Sequence, residues 1–203
     1  MNYKTLKVAI FINLIIGLTL NYGVEAKDKS FYFGAEVGLA SADIGADDTA
    51  QTLANLSGST VTYSYDEFTW AGRVFSGHPI SQNIALELGF FKTGDLDAKY
   101  TISGASATEA YSMFGLDGSI VFKPKDSPLF FRAGVHQSKV DGSASITIGG
   151  TTYAAEASQS GSGWLLGGGY KFGRDNFVFL SYYANVGGID SADVTLCTLG
   201  TKF

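Results

Sequence analysis

The 203-residue chain is short of the residues that mark several protein classes: it holds 1 Cys, 3 Pro and 2 His, and 16% of its side chains are charged. One cysteine excludes an internal disulfide framework and a Cys/His zinc cluster. So little proline and charge excludes a disordered tail or a Pro-rich spacer. The longest predominantly apolar stretch runs the thirteen residues from Val8 to Leu20, short of the ~20 that a spanning helix needs. Helical periodicity is nearly absent beyond residue 26. No glycine-rich loop opens a helix, because Gly167 to Gly169 stand inside a strand pattern, and no cofactor is expected.

What the chain does have begins with an address. Lys4 and Lys7 precede the apolar stretch, and Val24-Glu25-Ala26 offers small residues at the two positions a signal peptidase reads. Residues 1–26 are read as a cleaved signal peptide and residues 27–203 as one outer-membrane β-barrel domain. The mature part then carries 12 basic and 18 acidic side chains, a net charge of −6. The lone Cys197 is read as a small residue on a strand face.

Beyond the leader, apolar residues alternate with small or polar ones over about ten residues at a time, the pattern of a transmembrane strand. Phe31, Phe33, Ala35, Val37 and Leu39 share one face, and Tyr32, Gly34, Glu36, Gly38 and Ala40 the other. Seven more stretches follow, near residues 68–77, 84–91, 114–122, 129–136, 164–172, 178–183 and 199–203. Three short turns are expected at His78 to Gln82, Lys123 to Ser127 and Gly173 to Asn176. Four long loops are expected at about 41–66, 92–110, 139–161 and 184–193. This alternation predicts an all-β fold, an eight-stranded antiparallel up-and-down transmembrane β-barrel with both termini in the periplasm. Phe31, Phe122, Phe172 and Phe203 at one end, and Trp70, Phe90 and Trp164 at the other, suit the two aromatic girdles of such a barrel.

Charge sorts by region. The long loops hold 12 acidic and 3 basic residues, a balance of −9. Seven charges, Glu36, Arg73, Glu87, Asp117, Arg132, Lys171 and Lys202, fall on inward positions as a structural lumen network. If Gly77 pairs with Asn83, Arg73 stands opposite Glu87; if Phe122 pairs with Ser127, Asp117 stands opposite Arg132. Eight strands leave a lumen that side chains fill, so a wide porin is excluded and a narrow gated channel is the open alternative. The acidic outer side disfavours nucleic acid, heparin and bare lipopolysaccharide phosphates, and favours a cationic surface on a host or phage protein. Asp47-Asp48 and Asp95-Leu96-Asp97 lack the spacing of a calcium loop and are read as solvated acids. His136 and Ser138 share a strand face near Asp141, but by parity they face the lumen. A lipid A hydrolase is therefore the least favoured reading, and the chain is expected not to be an enzyme.

Phe31-Tyr-Phe-Gly-Ala-Glu-Val-Gly-Leu39, Ile84-Ala-Leu-Glu-Leu-Gly-Phe-Phe91, Leu129-Phe-Phe-Arg-Ala-Gly-Val-His136, Trp164-Leu-Leu-Gly-Gly-Gly-Tyr170 and the terminal Phe203 together resemble the small outer-membrane β-barrel family of OmpA and OmpX type. The resemblance implies residence in the outer membrane of a Gram-negative bacterium, among lipid and lipopolysaccharide, as a monomer with an envelope-integrity role. It also implies insertion by the outer-membrane assembly machinery, with Leu199, Thr201 and Phe203 as the assembly signal. No periplasmic peptidoglycan-binding domain, which some relatives carry, is expected. The seventh stretch departs from the family, having Phe179 and Ser181 where relatives often place inward charges.

Overall fold

The computed structural model describes residues 31–190 and 192–203, so the expected leader lies outside the described residues. The chain runs β1 (Tyr32–Ala42), α1 (Ala46–Ser57), β2 (Thr62–Tyr65), β3 (Thr69–Pro79), β4 (Ile84–Thr93), β5 (Leu96–Ile102), β6 (Ala105–Phe122), β7 (Leu129–Ile148), β8 (Thr151–Phe172), β9 (Asn176–Tyr183) and β10 (Val194–Lys202). Hydrogen bonding passes around a ring in the order β6, β4, β3, β1, β10, β9, β8, β7 and back to β6. Every pairing is antiparallel, and the result is a closed eight-stranded barrel.

The burial pattern is inverted relative to a soluble domain. Val37, Leu39, Trp70, Val74, Leu88, Leu116, Ile120, Leu166, Leu180 and Leu199 are each more than half exposed, whereas Arg73 and Arg132 are 2% and 1% exposed. Period-two alternation in a closed ring sends one face of every strand to the lumen and the other outward. Only a hydrocarbon surround makes that arrangement favourable, since closure also removes every unpaired strand edge from the lipid.

The lumen is layered. Toward the short turns lies an apolar cluster of Phe75, Ala85, Val121, Phe130, Phe177 and Phe179. Toward the other end lies a second, with Ala71, Phe91, Leu165, Tyr183, Val186 and Leu196. The inward charges occupy the layer between them, because Arg73 stands between Ala71 and Phe75 on β3, and Glu87 between Ala85 and Phe91 on β4.

The connections differ from expectation at the long-loop end. Residues 92–110 and 139–161 form ordered hairpins continuous with the wall rather than loops. β7 and β8 pair from Leu129↔Tyr170 out to Ile148↔Thr151 and close through two glycines. Gly149 and Gly150 have φ of +57° and +85°, the conformation that a two-residue hairpin turn requires and that glycine adopts without strain. β5 continues β4 across a bulge: Lys92 faces Phe114 and Leu96 faces Tyr111, so three residues on one strand oppose two on the other. With β2 on the edge of β5, these extensions make a ribbon standing beyond the barrel. Residues 41–66 contain α1, whose Ala46 and Ala50 pack with Ala98 and Tyr100 of β5. Asp47 and Asp48 occupy its first turn, where the helix dipole favours acids.

Both expected registers are corrected. Gly77 faces Glu87, so Arg73 lies opposite Phe91. Phe122 faces Phe131, so Asp117 lies opposite His136 and Arg132 opposite Val121. Arg73 stands straight across the β1–β3 ladder from Glu36, whereas barrel strands tilt and stagger, so that it also reaches Asp117 diagonally over β4.

Candidate functional site

Two groups of polar side chains occupy the lumen. The first is the charged layer. Arg73 donates from Nε and Nη2 to both oxygens of Asp117, at 2.8 and 2.7 Å, and from Nη1 to Glu36 Oε1 at 3.0 Å. Arg132 Nη2 donates to the same Glu36 oxygen at 2.7 Å. Glu87 Oε2 lies 3.5 Å from Arg73 Nη1 and 3.2 Å from Arg132 Nη2, as ionic contacts without hydrogen-bond geometry. Its other oxygen accepts from Tyr32 at 2.8 Å and Lys202 Nζ at 3.1 Å. Thr198 donates to Glu36 at 3.1 Å. The rest of the Arg132 guanidinium lies over the Phe179 ring, 4.2 Å from its centre, a favourable place for a cation's unpaired face.

Three cations and three carboxylates therefore meet in one buried cluster with zero formal charge. Among buried ions, several partners per charge offset the loss of water. The strand pattern locally makes room for it: a Cβ on Gly89 would sit 2.5 Å from Arg73 Nε. Of the seven residues read as inward, six converge. Lys171 does not: it has the right parity but stands exposed at the short-turn mouth, beyond the reach of the carboxylates.

The second group lies at the ribbon end, where parity already turns His136 and Ser138 toward the lumen. After β9 the chain turns back into the barrel mouth, and Val186 is fully buried against Val140 and Leu165. Gly187 N–H donates to Ser138 Oγ at 2.8 Å, Ser138 lies 3.1 Å from His136 Nδ1, and His136 Nε2 lies 2.9 Å from the Ala184 carbonyl. With Nε2 protonated and Ser138 donating to Nδ1, every group in the chain is satisfied by a neutral imidazole. His136 and Ser138 thus latch a lid over the lumen. Asp141 is not part of this group, and pairs with Lys139 at 2.5 Å. No regular periodicity in residues 184–193 signals the lid.

Among the described residues no three of His, Cys, Asp or Glu gather as metal ligands. Asp47 instead accepts from Tyr63 at 2.7 Å, a bond that raises the phenol's pKa. Tyr100 is pushed up to about 12 by burial, with Glu109 beside it adding to the shift. Cys197 faces outward on β10. Leu199, Thr201 and Phe203 share the outward face of the wall, and Phe203 exchanges backbone hydrogen bonds with Phe33 at 2.9 and 3.1 Å.

A closed ring of eight antiparallel strands, greasy outside and charge-neutralised within, defines an eight-stranded transmembrane β-barrel. The family model of the OmpA-like transmembrane domain matches residues 26–188, and the chain belongs to that family. Membership of that family places it in the outer membrane of a Gram-negative bacterium. Ail, the attachment invasion locus protein of Yersinia pestis, solved with the heparin analogue sucrose octasulfate, is similar in fold. It shares 11% identity over 86% of this chain and 99% of its own, with a TM-score of 0.50. OprG from Pseudomonas aeruginosa shares 11% over 86% and 97%, with a TM-score of 0.46. Neisserial surface protein A shares 14% over 87% and 98%, with a TM-score of 0.38. No curated protein sequence matches the chain.

Proposed function

We propose that this barrel is a surface protein whose ribbon captures basic, extended protein segments while its filled lumen serves only to hold the wall together. The ribbon faces the outside and the short turns face the periplasm, after loss of residues 1–26 as a signal peptide; the great difference in connection length supports that orientation. Leu199, Thr201 and Phe203 serve the outer-membrane assembly machinery during insertion. The barrel acts as a monomer among lipid and lipopolysaccharide.

One observation carries the binding role. β9 covers β8 only from Leu165 to Phe172, which leaves Thr151 to Ser160 with a free edge. Lys171 N–H bonds toward β7 and the Trp164 carbonyl bonds toward the lid, so odd residues of β8 pair inward and even residues present N–H and C=O to the outside. Such an edge is a template for strand addition. The ribbon face that leads to it carries Asp95, Asp97, Glu109, Asp141 and Glu156 against Lys99 and Lys139, which favours a cationic partner. Two copies pairing edge to edge would bring their Glu156 residues together, so a second copy is the poorer occupant.

The test is binding of an alternating Lys/Thr peptide to intact cells displaying the full protein, beside the same peptide N-methylated at every second amide. Tighter binding of the unmethylated peptide, lost in Ala154→Pro and Ser158→Pro, is expected. Equal binding of both peptides sinks the edge as the site and leaves plain charge attraction.

A further inference from the structure

The short-turn mouth gathers three lysines, and the lumen cluster uses only Lys202 of them. Lys123 follows β6, Lys171 lies near the end of β8 and Lys202 ends β10, and all three line one cavity of about 110 Å³ with Ser127, Phe130 and Asp175. Each lysine is anchored through its backbone to a neighbouring junction: Lys123 N–H to the Asn83 carbonyl at 2.7 Å, Lys171 to Pro128 at 2.8 Å and Lys202 to Asp175 at 3.0 Å. The ammonium groups of Lys123 and Lys202 both stand over the Tyr32 ring, 5.2 and 4.5 Å from its centre.

Counter-charge is short there. Glu87 is the nearest buried carboxylate, and it already serves Arg73, Arg132 and Lys202. Asp175 is the acid lining the cavity, so Lys123 and Lys171 meet one carboxylate beside Lys202, whose own partner Glu87 is shared with both arginines. Burial together with the neighbouring Lys202 and Lys171 pulls Lys123 down to about 8, as expected where like charges crowd without an anion between them. The volume equals that of about four waters, room for one small oxyanion group. Pro128 and Leu129 form its lip, and Leu129 is 46% exposed on the lipid-facing side, so the cavity opens where membrane headgroups lie.

We propose that this three-lysine cavity is a binding site for a phosphate group, held by Lys123, Lys171 and Lys202 as point charges. The group comes either free from solution or on the headgroup of an anionic lipid beside Leu129. Binding there neutralises the mouth, with Lys202 shared between the phosphate and Glu87.

Lysine acylation mapped by mass spectrometry on the full mature barrel tests this, first in phosphate-free detergent with and without inorganic phosphate, at ionic strength matched with chloride. The second arm compares barrels reconstituted in phosphatidylglycerol and in uncharged, phosphate-free glycolipid. At least five-fold protection of Lys123, Lys171 and Lys202, with little change at Lys92, Lys99 and Lys139, is expected. Protection by inorganic phosphate identifies a free anion; protection in phosphatidylglycerol alone identifies the headgroup. Lys171→Gln, a change at an exposed side chain, lowers the protection of Lys123 to less than two-fold while the folded barrel keeps its gel mobility. Protection in neither arm, or equal protection of all six lysines, overturns the site.

Discussion

The Arg73 guanidinium grips the Asp117 carboxylate by two parallel hydrogen bonds across the lumen, from a strand 44 positions away in sequence. Neither residue faces the other on a shared ladder, since β4 separates β3 from β6. This pair bridges two strands over the one between them, and its removal has a defined cost. Asp117→Ala takes away two of the three hydrogen bonds of the buried Arg73 and leaves the cluster one carboxylate short, and is expected to lower stability by about 3–5 kcal/mol. Replacing both, as Arg73→Met with Asp117→Leu, is expected to cost less than half the sum of the single changes. Urea titration of the folded, faster-migrating gel band measures both; equal and additive losses would contradict the pairing.

The outward face makes the opposite demand. Val74 is 57% exposed on β3, in the band between the aromatic girdles. Val74→Arg is expected to destabilise the inserted barrel by about 2–4 kcal/mol. The same arginine at Thr147 on the ribbon is expected to change stability by less than about 0.5 kcal/mol. Refolding into vesicles, compared across the two variants, reads the difference.

Lys123 sets a pH dependence. Its proton leaves at about 8 in the folded barrel and near 10.4 in an unfolded chain. Between those values the unfolded state holds a proton that the folded state lacks, so stability rises with pH through that window. The penalty is complete below about 8 and gone above the unfolded value. The urea midpoint is expected to increase from pH 7.5 to pH 10 by more in the parent protein than in Lys123→Gln. A window unchanged by that substitution would remove Lys123 as its cause.

Much of the wall was legible from residue order alone, because alternation in stretches such as Phe31 to Leu39 is imposed by two solvents, lipid outside and packed side chains inside. Register was not. Arg73 meets Glu36 straight across the β1–β3 ladder, but it meets Asp117 over the intervening β4 through strand stagger, a property of the closed ring that no single pair of stretches contains. Lys171 shows the limit of parity: facing inward means little at the last residues of a strand, where the lumen opens to water. The ribbon was hidden for another reason. Ser, Thr and Ala on both faces of β7 and β8 leave no apolar alternation to read, and the signal lay instead in Gly149-Gly150, a two-residue turn. α1 carries Ala46, Ala50 and Leu53 at helical spacing, but such small side chains make a faint stripe within a Thr- and Ala-rich segment.

The lid gives a further prediction. Ser138→Ala takes away the acceptor of the Gly187 amide and the donor to His136 together, leaving buried polar groups unpaired at a cost of about 1–3 kcal/mol. Amide exchange at Gly187 is expected to quicken at least about ten-fold, with exchange along β1 and β3 unchanged. An unchanged Gly187 rate would show that packing of Val186 alone holds the lid. If the protein shows any deacylating activity, the same variant is expected to leave it intact.

Lys202 and Thr198 both belong to β10, the strand that zips onto β1 and seals the ring. Before it docks, Glu36 lacks its hydroxyl donor and Glu87 its ammonium, and the cluster is one cation short. Circular closure and electrical neutrality are thus reached in a single stroke, so an incompletely wound barrel carries its own mark of immaturity: an unbalanced negative charge where the finished molecule has none.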